Sequence, residues 1–564
     1  MTKPVYATGL DYGTNSVRCL IADAADGTEL ACFVHEYTGG DRGVLLDHSD
    51  DKLARHNPVN YHESTASVVK GALREAHKFD KSFDASRVIG IGIDTTCSTA
   101  IPVTKDITPL CMLDEFKDNL NAYAWLWKDH TACAEADEIT ELARKEHPEY
   151  LTRCGGIYPS EFFFSKILHC LRADPRVFDA AYTWIEECDY IPAMLGGLTR
   201  PEDIKHSRCA AGHKAMFAND WGGLPAKDFL AKLDPKLGGL RGRLYSETFT
   251  CDVAAAGLSQ GWAKKLGLSA NIPIAVGCID AHMGAVGAGV APGKMVKIIG
   301  TSMVDMMVTP PGQKPPDIPG ISGVVDGSIL PGHYSIEAGQ SGVGDLFNWF
   351  VNTIQPGGRK NCTHQQLTQR AAKLKPGRSG LLALDWNHGN RNILLDQRLT
   401  GLILGQTLHT RPEEIYRALM EATAFGALTI INRFEEYGQK VEEIIAGGGI
   451  AEKNFLFMQI CADVTGRELK MPICLRTCAP GGALAGAVVA GKDAGGYDNF
   501  YDAQNAMSQM RDKTYKPNPE NHKIYLQLYK LYKQMHDAFG LKSWSGRMEN
   551  IMKDLLKIKD RANK

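Results

Sequence analysis

The chain has 564 residues, and 63 lysines and arginines against 65 aspartates and glutamates give it a formal net charge of −2. This length exceeds what a single hydrophobic core organises, so we expect two or three domains. No long basic block or bilayer-spanning apolar stretch is present, which argues against nucleic acid or a membrane as partner. Without a signal-peptide pattern or a Cys-x-x-Cys pair, the chain is expected to be cytoplasmic, with its 15 cysteines reduced.

The first predicted elements are three strands, at residues 5–9, 17–22 and 29–34. The segment GLDYGTNS at residues 9–16 joins the first two. Glycine lets backbone N–H groups approach an anion, and hydroxyl or amide side chains add donors. The turn formed by Gly13, Thr14, Asn15 and Ser16 is therefore predicted to bind phosphate.

Residues 61–76 are predicted to form a helix and residues 88–93 a buried strand, which is followed by Asp94-Thr95-Thr96-Cys97-Ser98. Open α/β sheets bind ligands at such strand ends. Residues 118–141 and 157–240 are predicted to be mostly helical, and Trp125, Trp127 and His130 are assigned to packing at helical spacing. The acidic stretch at residues 47–51 is assigned to a surface loop, and residues 274–279 to a second buried strand.

The second half begins with the same plan, because predicted strands at residues 296–299 and 303–308 flank Gly300-Thr301-Ser302. Further on we expect a helix at 412–436, a strand at 444–446, a helix at 454–465, a small-residue helix from Ala479 and a helical tail from about residue 519. This repetition predicts a duplicated α/β fold with a cleft between two lobes. The lobes are predicted at residues 1–288 and 289–564, with a helical layer from about residue 515.

Two aspartates are candidates for the chemistry. Asp280 follows a buried strand, where its carboxylate can accept the proton of an attacking hydroxyl; the alternative is a helix N-cap. Asp11 lies in the phosphate turn, where it would repel polyphosphate unless a cation intervened, which indicates Mg²⁺. The alternative for Asp11 is an Asx-turn. His282, two residues after Asp280, is assigned a structural role.

Several short segments together resemble the FGGY carbohydrate kinases, and within that family the ribulokinases. They are GLDYGT (9–14), GGIYPSE (155–161), CAAGHKA (209–215), DAH (280–282), EAGQS (337–341) and LDWNHGNR (384–391). The resemblance covers nearly the whole chain and implies the duplicated actin-like ATPase, or ribonuclease H-like, fold. It also implies that Asp280 is the catalytic base and that Asp11 and Asp280 hold the metal.

For ATP, the resemblance implies a second phosphate clamp at Gly300 and Thr301. It also implies an adenosine pocket lined by Gly339, Gly448, Gly449 and Asn454. Outside this family, a glycine run before a helix is as compatible with a plain turn. No Gly-x-x-x-x-Gly-Lys-Ser/Thr segment is present, which argues against a P-loop mechanism.

For the sugar, the resemblance implies a site made by Thr96, Cys97, Ser98, Lys214, Asp280 and Glu337. A lysine and a glutamate in one cleft supply a donor and an acceptor to a polyol. In isolation both are compatible with solvated charges. Cys97 departs from the small alanine or glycine that ribulokinases often carry, and it is bulkier.

The implied activity is ATP- and Mg²⁺-dependent phosphorylation of L-ribulose to L-ribulose 5-phosphate, in L-arabinose catabolism. D-ribulose, another ketopentose or a pentitol are alternative substrates. An actin-like ATPase and a non-catalytic sugar sensor are alternatives from other classes, and a homodimer is compatible with the sequence.

Overall fold

The computed structural model describes residues 3–47, 49–358, 360 and 362–563. The strands of the first half are β1 (Tyr6–Tyr12), β2 (Ser16–Asp23), β3 (Glu29–Glu36), β4 (Val44–Asp47), β5 (Asp50–His56), β6 (Val88–Thr95), β7 (Ala100–Val103), β8 (Ala124–Trp125), β9 (Thr183–Glu186), β10 (Ala254–Gly257), β11 (Pro273–Ala275) and β12 (Cys278–Ile279). Its α-helices are α1 (Pro58–Phe79), α2 (Cys133–Glu146), α3 (Glu149–Thr152), α4 (Phe163–Ala173), α5 (Pro175–Ala180), α6 (Glu187–Gly196), α7 (Arg208–Lys214), α8 (Lys227–Leu233), α9 (Pro235–Leu240), α10 (Gln260–Leu266) and α11 (Asp280–Gly287).

The strands of the second half are β13 (Lys294–Ile299), β14 (Met303–Val308), β15 (Val325–Asp326), β16 (Tyr334–Gln340), β17 (Leu382–Leu384), β18 (Leu402–Leu404), β19 (Glu443–Gly447) and β20 (Leu469–Lys470). Its α-helices are α12 (Gly344–Asn348), α13 (His364–Ala371), α14 (Pro412–Glu436), α15 (Gly449–Lys453), α16 (Phe455–Thr465), α17 (Cys478–Ala490), α18 (Phe500–Met507), α19 (Pro519–Gly540) and α20 (Ile551–Ala562). A π-helix spans Trp349–Ile354. Short 3₁₀ helices span Ala85–Arg87, Leu110–Met112, Leu120–Ala122, Pro201–Asp203, Asn219–Trp221, Arg241–Arg243 and Lys492–Ala494.

The two main sheets follow one strand plan. In the first sheet the order β3-β2-β1-β6-β11 continues to β10, and β12 also pairs with β6. In the second, the order β16-β14-β13-β19-β20 repeats that plan, with β15 beyond β16. In each sheet the first strand, β1 or β13, pairs antiparallel with the strand that follows it in the chain and parallel with a later strand, β6 or β19. The duplicated α/β fold predicted from the sequence is therefore confirmed.

The two halves interlock through a pair of helices. Helix α11, from the first half, contacts β13 and β14, whereas α17, from the second half, packs on β1 and β6. The two helices also pack on each other. Helix α17 lies close to β6 because glycines meet at their contact. A Cβ at Gly92 would lie 1.8 Å from the Gly482 carbonyl oxygen, and one at Gly90 would lie 1.9 Å from that of Gly486.

Three predicted segments differ from the structure. Residues 47–51 belong to the β4–β5 hairpin, with His48 outside the described residues. Residues 118–132, predicted to be mostly helical, form turns, the short 3₁₀ helix Leu120–Ala122 and strand β8. The predicted strand at 274–279 is split into β11 and β12. Gly277 lies at the break, where the backbone packs directly on α6: a Cβ at Gly277 would be 2.0 Å from the carbonyl oxygen of Cys188.

The second half has its own large core, arranged around α14. Pro412 occupies the first turn of this helix, and Glu413 and Glu414 favour the same helix end through the dipole. The C-terminal helices α19 and α20 bury Tyr525 and Leu555 in that core, so the helical tail predicted from the sequence is confirmed. Among the described residues, none of the helices combines the length and apolar character needed to cross a membrane.

Candidate active site

Parallel strand pairing brings three carboxylates to one sheet edge. Asp11 on β1 lies opposite Asp94 on β6 in the parallel register. Strand β12 runs parallel on the other side of β6, with Ile279 opposite Thr95, so Asp280 follows directly at the same edge. Carboxyl ends of parallel strands are where such folds place their ligands.

Asp11 and Asp94 form the buried part of this group. Asp11 forms an ion pair with Arg18 of β2, and burial raises its pKa although Arg18 opposes the rise. Asp94 is fully buried, and neither of its carboxylate oxygens has a hydrogen bond among the described residues. Burial, together with Asp11 and Asp280, raises the pKa of Asp94 well above its usual range.

The donor set suits a divalent cation. Asp11, Asp94 and Cys478 each bring one potential ligand atom to within 4.8 Å of the others. Mg²⁺ prefers carboxylate oxygen and water, so the carboxylates rather than the thiol are the groups that fit it. Besides burial, repulsion by Asp11 and Asp280 raises the pKa of Asp94. A cation bound there would relieve this repulsion.

Asp280 is the more accessible carboxylate of the group. It is the first residue of α11, and its Oδ1 accepts a hydrogen bond of 2.6 Å from the backbone N–H of Ala281. The N-cap of the helix is Ile279, so Asp280 is not the N-cap that the alternative interpretation required. Burial and the charge of Asp11 raise the pKa of Asp280 to about 6. A carboxylate with this pKa is ionised at neutral pH and more basic than a free aspartate.

The first predicted phosphate turn closes with a hydrogen bond of 2.9 Å from Gly13 N–H to the Ser16 carbonyl. Asp11 lies in β1 rather than in the turn itself. The Asn15 side chain donates to the Arg42 carbonyl at 2.9 Å, which occupies one of its donors away from any phosphate. The Thr14 hydroxyl accepts a hydrogen bond of 2.9 Å from Trp127 Nε1, and its own proton stays free to donate.

The second predicted phosphate turn, at Gly300 and Thr301, lines part of a large cavity. Its volume is about 840 Å³, within the range of small-molecule sites. Four residues predicted for nucleotide contact line it, namely Gly300, Thr301, Gly449 and Asn454. Further polar and aromatic lining residues were not singled out from the sequence, among them Asp345, Asn348, Gln369, Tyr416 and Lys453.

Two glycines predicted for the adenosine pocket are not among the residues lining this cavity. Gly339 is buried in β16, where a Cβ would lie 2.4 Å from the Met303 carbonyl oxygen, so this glycine allows close strand packing. Its N–H donates to Asn392 Oδ1 at 2.8 Å. Gly448 is the N-cap of α15 at φ 92°, and a Cβ there would lie 2.4 Å from the Ile299 carbonyl oxygen. Gly448 shapes the turn, while Gly449 is the residue that faces open space.

Three other predicted sugar residues, Cys97, Lys214 and Glu337, lie around Asp280. Burial raises the pKa of Cys97 to about 11, and this uncharged thiol faces Lys214, Asp280 and Glu337. Lys214, at the end of α7, lies with its Nζ 4.6 Å from the ring centre of Phe162. Burial alone would raise the pKa of Glu337, but His282 and Lys214 hold that pKa well below its usual range. A cation and a carboxylate therefore face one cleft, ready to donate to and accept from hydroxyls.

The other two predicted sugar residues have side chains engaged or buried elsewhere. The Thr96 hydroxyl donates to Glu187 Oε2 at 2.7 Å, so this side chain supports the loop rather than facing a ligand. Ser98 is buried in a left-handed conformation at φ 52°, and its carbonyl accepts a hydrogen bond of 2.5 Å from Lys166 Nζ. Of the three neighbouring residues Thr96, Cys97 and Ser98, Cys97 is therefore the one whose side chain faces the cleft.

The sequence interpretation missed the position of Trp127 and the partner of His282. Trp127 is 41% exposed and contacts Thr14, so its assignment to helical packing was wrong, while Trp125 is buried against Arg55 as expected.

His282 Nε2 lies 2.9 Å from Glu337 Oε2. The only sequence signal for this contact was the short Asp-x-His spacing, which does not reveal a partner 55 residues away (337 − 282).

Residues 295–490 match the FGGY family of carbohydrate kinases, C-terminal domain. The chain is similar to the ribulokinase of Halalkalibacterium halodurans, with 40% identity over 95% of each chain, and to that of Anoxybacillus flavithermus, with 40% identity over 99% of this chain and 98% of the relative.

Two solved structures show the fold at low identity. The xylulose kinase of Rhodospirillum rubrum has a TM-score of 0.76 at 20% identity, over 94% of this chain and 98% of that one. The glycerol kinase of Plasmodium falciparum with ADP has a TM-score of 0.76 at 14% identity, over 96% of this chain and 99% of that one. The solved structures share the two-lobed fold, and the family match together with the ribulokinase relatives defines an actin-like sugar kinase. The chain belongs to the FGGY family of carbohydrate kinases.

Proposed function

We propose that this protein phosphorylates ribulose, with ATP as donor, L-ribulose as the preferred substrate and L-ribulose 5-phosphate as product. The observation that carries the proposal is the 40% identity to ribulokinases over 95% of both chains. The meeting of Lys214, Glu337 and Asp280 at one cleft supports it, because a polyol needs a donor, an acceptor and a base within reach.

In this proposal adenosine occupies the 840 Å³ cavity of the second half, and the polyphosphate runs between the two glycine turns toward Asp280. Asp11 would hold Mg²⁺, with the carboxylates of Asp94 and Asp280 at the same sheet edge. That ion would supply charge neutralisation at the β- and γ-phosphates. Lys214 would donate to sugar hydroxyls and Glu337 would accept from them.

Asp280 would accept the proton of the attacking sugar hydroxyl. Its raised pKa makes it a better base than a free aspartate, and its place on α11 keeps it beside the sheet edge. Closure of the two lobes, residues 1–288 and 289–564, would bring this hydroxyl in line with the γ-phosphate and exclude water as a competing nucleophile. A cytoplasmic location belongs to the same proposal, and a homodimer stays a prediction for sedimentation analysis.

A coupled ADP-release assay tests the substrate. It compares L-ribulose, D-ribulose, L-xylulose, D-xylulose, ribitol and glycerol at equal concentrations, with Mg²⁺ present. We expect the highest kcat/KM with L-ribulose. A higher value for another sugar would change the substrate and leave the kinase class intact, whereas binding of sugar without ADP release would identify a sensor. ATP hydrolysis unaffected by every sugar would point to an ATPase.

A further inference from the structure

A second cluster of metal-ligand side chains lies next to Glu337, one of the predicted sugar residues. Cys209, His213 and His282 each offer one ligand atom, and these atoms all lie within 4.8 Å of one another. The three side chains are 3%, 4% and 1% exposed. No step of the proposed phosphoryl transfer uses Cys209 or His213. The cluster is distinct from the Asp11 group in ligand type as well as in residues.

Helical spacing explains how the cluster forms. Cys209 and His213 stand four residues apart on α7, which places them on one face of the helix. His282 comes from α11, and its ring lies 4.4 Å from that of His213, centre to centre. Two helices of the first half thus present three nitrogen and sulfur ligands to one point.

Glu337 of β16 borders the cluster on the side of the two histidines. Its Oε2 lies 2.9 Å from His282 Nε2 and 3.8 Å from His213 Nδ1. Ligand atoms around a tetrahedral zinc ion are roughly 3.3–3.8 Å apart, given bond lengths of about 2.0–2.3 Å. His282 Nε2 has no aligned hydrogen bond among the described residues despite this short contact, and neither has its Nδ1. The ligand atoms of Cys209, His213 and His282, all within 4.8 Å of one another, need only a small adjustment to reach this spacing.

The outer contacts also suit a metal site. His213 Nε2 lies 3.1 Å from the Ser328 hydroxyl, which leaves Nδ1 on the side of Glu337. An oxygen partner on the second ring nitrogen is the usual way in which a metal-binding histidine is oriented. One thiol and two imidazoles match Zn²⁺, whereas Mg²⁺ prefers oxygen ligands throughout.

We propose that Cys209, His213 and His282 form a Zn²⁺ site that borders Glu337 of the sugar site and leaves a fourth position to water. Binding would release to solvent the one proton that Cys209 and His282 share, so that the metal takes a thiolate and a neutral imidazole. Because Glu337 Oε2 lies 2.9 Å from His282 Nε2, a cation held by His282 would draw this carboxylate away from sugar hydroxyls, so bound Zn²⁺ should weaken sugar binding and leave ATP binding unchanged. This last consequence rests on the proposed sugar kinase function; the metal site itself does not.

Direct metal binding tests the site. The purified full-length protein is titrated with Zn²⁺ against a chromophoric chelator, and with Co²⁺ while the thiolate-to-cobalt absorption is recorded. We expect one tight site with a thiolate band. Cys209→Ser should abolish the band and weaken Zn²⁺ binding by at least about 100-fold, beyond the effect of losing an outer partner. His213→Gln gives the same comparison if the serine variant does not fold, as judged by circular dichroism.

Two matched cysteine variants serve as controls. Cys461→Ser changes a buried cysteine of the second core, and Cys478→Ser changes the thiol beside Asp11, which is the other cysteine near candidate metal ligands. Both should keep the tight site and its band. A thiolate band lost in Cys478→Ser but kept in Cys209→Ser would move the site to Asp11 and overturn the proposal.

The absence of tight Zn²⁺ binding in the wild type would also overturn it, and would leave the cluster as a packed support for Glu337. A kinase assay is the second readout: micromolar Zn²⁺ should raise the KM for sugar in the wild type and in Cys461→Ser, with the KM for ATP unchanged. Because metal binding is measured without turnover, failure of the zinc site and failure of the kinase assignment are distinguishable.

Discussion

His282 Nε2 lies 2.9 Å from Glu337 Oε2, and the two residues come from different halves of the chain. His282 lies in the first turn of α11, while Glu337 lies in β16 of the second sheet. The predicted sugar residues are therefore not confined to the first half. A ligand that contacts both Lys214 and Glu337 would bridge the two halves, which links sugar binding to their relative position.

We expect sugar and nucleotide to bind cooperatively for this reason. L-ribulose should tighten a non-hydrolysable ATP analogue in the presence of Mg²⁺, and the analogue should tighten the sugar by the same factor, because binding coupling is reciprocal. A factor of roughly 5- to 150-fold is typical of such coupling. Calorimetric titration of each ligand, with and without its partner, measures it. Independent affinities, with scattering profiles unchanged by ligands, would exclude coupled closure.

Asp280→Asn should abolish most turnover while both substrates still bind. The change keeps the shape of the side chain and removes the proton acceptor, and general-base assistance is typically worth about 100- to 10,000-fold. ADP release gives kcat, and calorimetry gives the sugar affinity. Asp228→Asn, on the exposed face of α8, is the matched control and should turn over normally. Near-normal kcat in a folded Asp280→Asn variant would remove Asp280 from the chemistry.

The pH profile should report the same carboxylate. Burial and Asp11 raise the pKa of Asp280 to about 6, and a base acts only when it is deprotonated, so activity is present above this pH and lost below it. We expect kcat/KM for the sugar, which reports the free enzyme, to fall about tenfold per unit of pH below about 6. Circular dichroism at each pH controls for unfolding. A profile that stays flat between pH 5 and 8 contradicts the assignment.

Lys214→Met should raise the KM for sugar more than the KM for ATP. Lys214 is buried beside Cys97 and Glu337, so methionine keeps much of the side-chain volume and removes the charged donor that faces the cleft. Steady-state kinetics with each substrate varied in turn separates the two effects. Lys232→Met, which removes an exposed lysine paired with Glu146, should leave both constants unchanged. An effect confined to ATP would place Lys214 at the nucleotide.

Gly92→Ala should destabilise the protein, because the added methyl group would lie 1.8 Å from the Gly482 carbonyl oxygen of α17. Overpacking of this kind costs roughly 1–3 kcal/mol. Urea unfolding followed by circular dichroism measures the change in midpoint. Gly261→Ala in α10 is the control, since its Cβ meets no atom within 4 Å and alanine favours the helix. Equal midpoints for the two variants would show that α17 does not press on the first sheet.

The local sequence determined most of the individual elements. The helix predicted at 412–436 has those bounds, because proline at its start and acidic residues in its first turn act within a few residues of the helix end. The meander strands of both sheets and the glycine turns between them are local in the same sense. Asp280 was found at a strand end because an apolar run directly precedes it.

Only the tertiary structure decided which side chains meet. Asp94 belongs to the carboxylate group through the parallel register of β1 with β6, and Glu337 meets His282 through the contact between the two halves. The Thr96 hydroxyl donates a hydrogen bond to Glu187, 91 residues away (187 − 96). Position 339 needs glycine because a Cβ there would lie 2.4 Å from the Met303 carbonyl oxygen. Such contacts depend on how distant segments pack, and a residue's own neighbours in sequence carry no record of them.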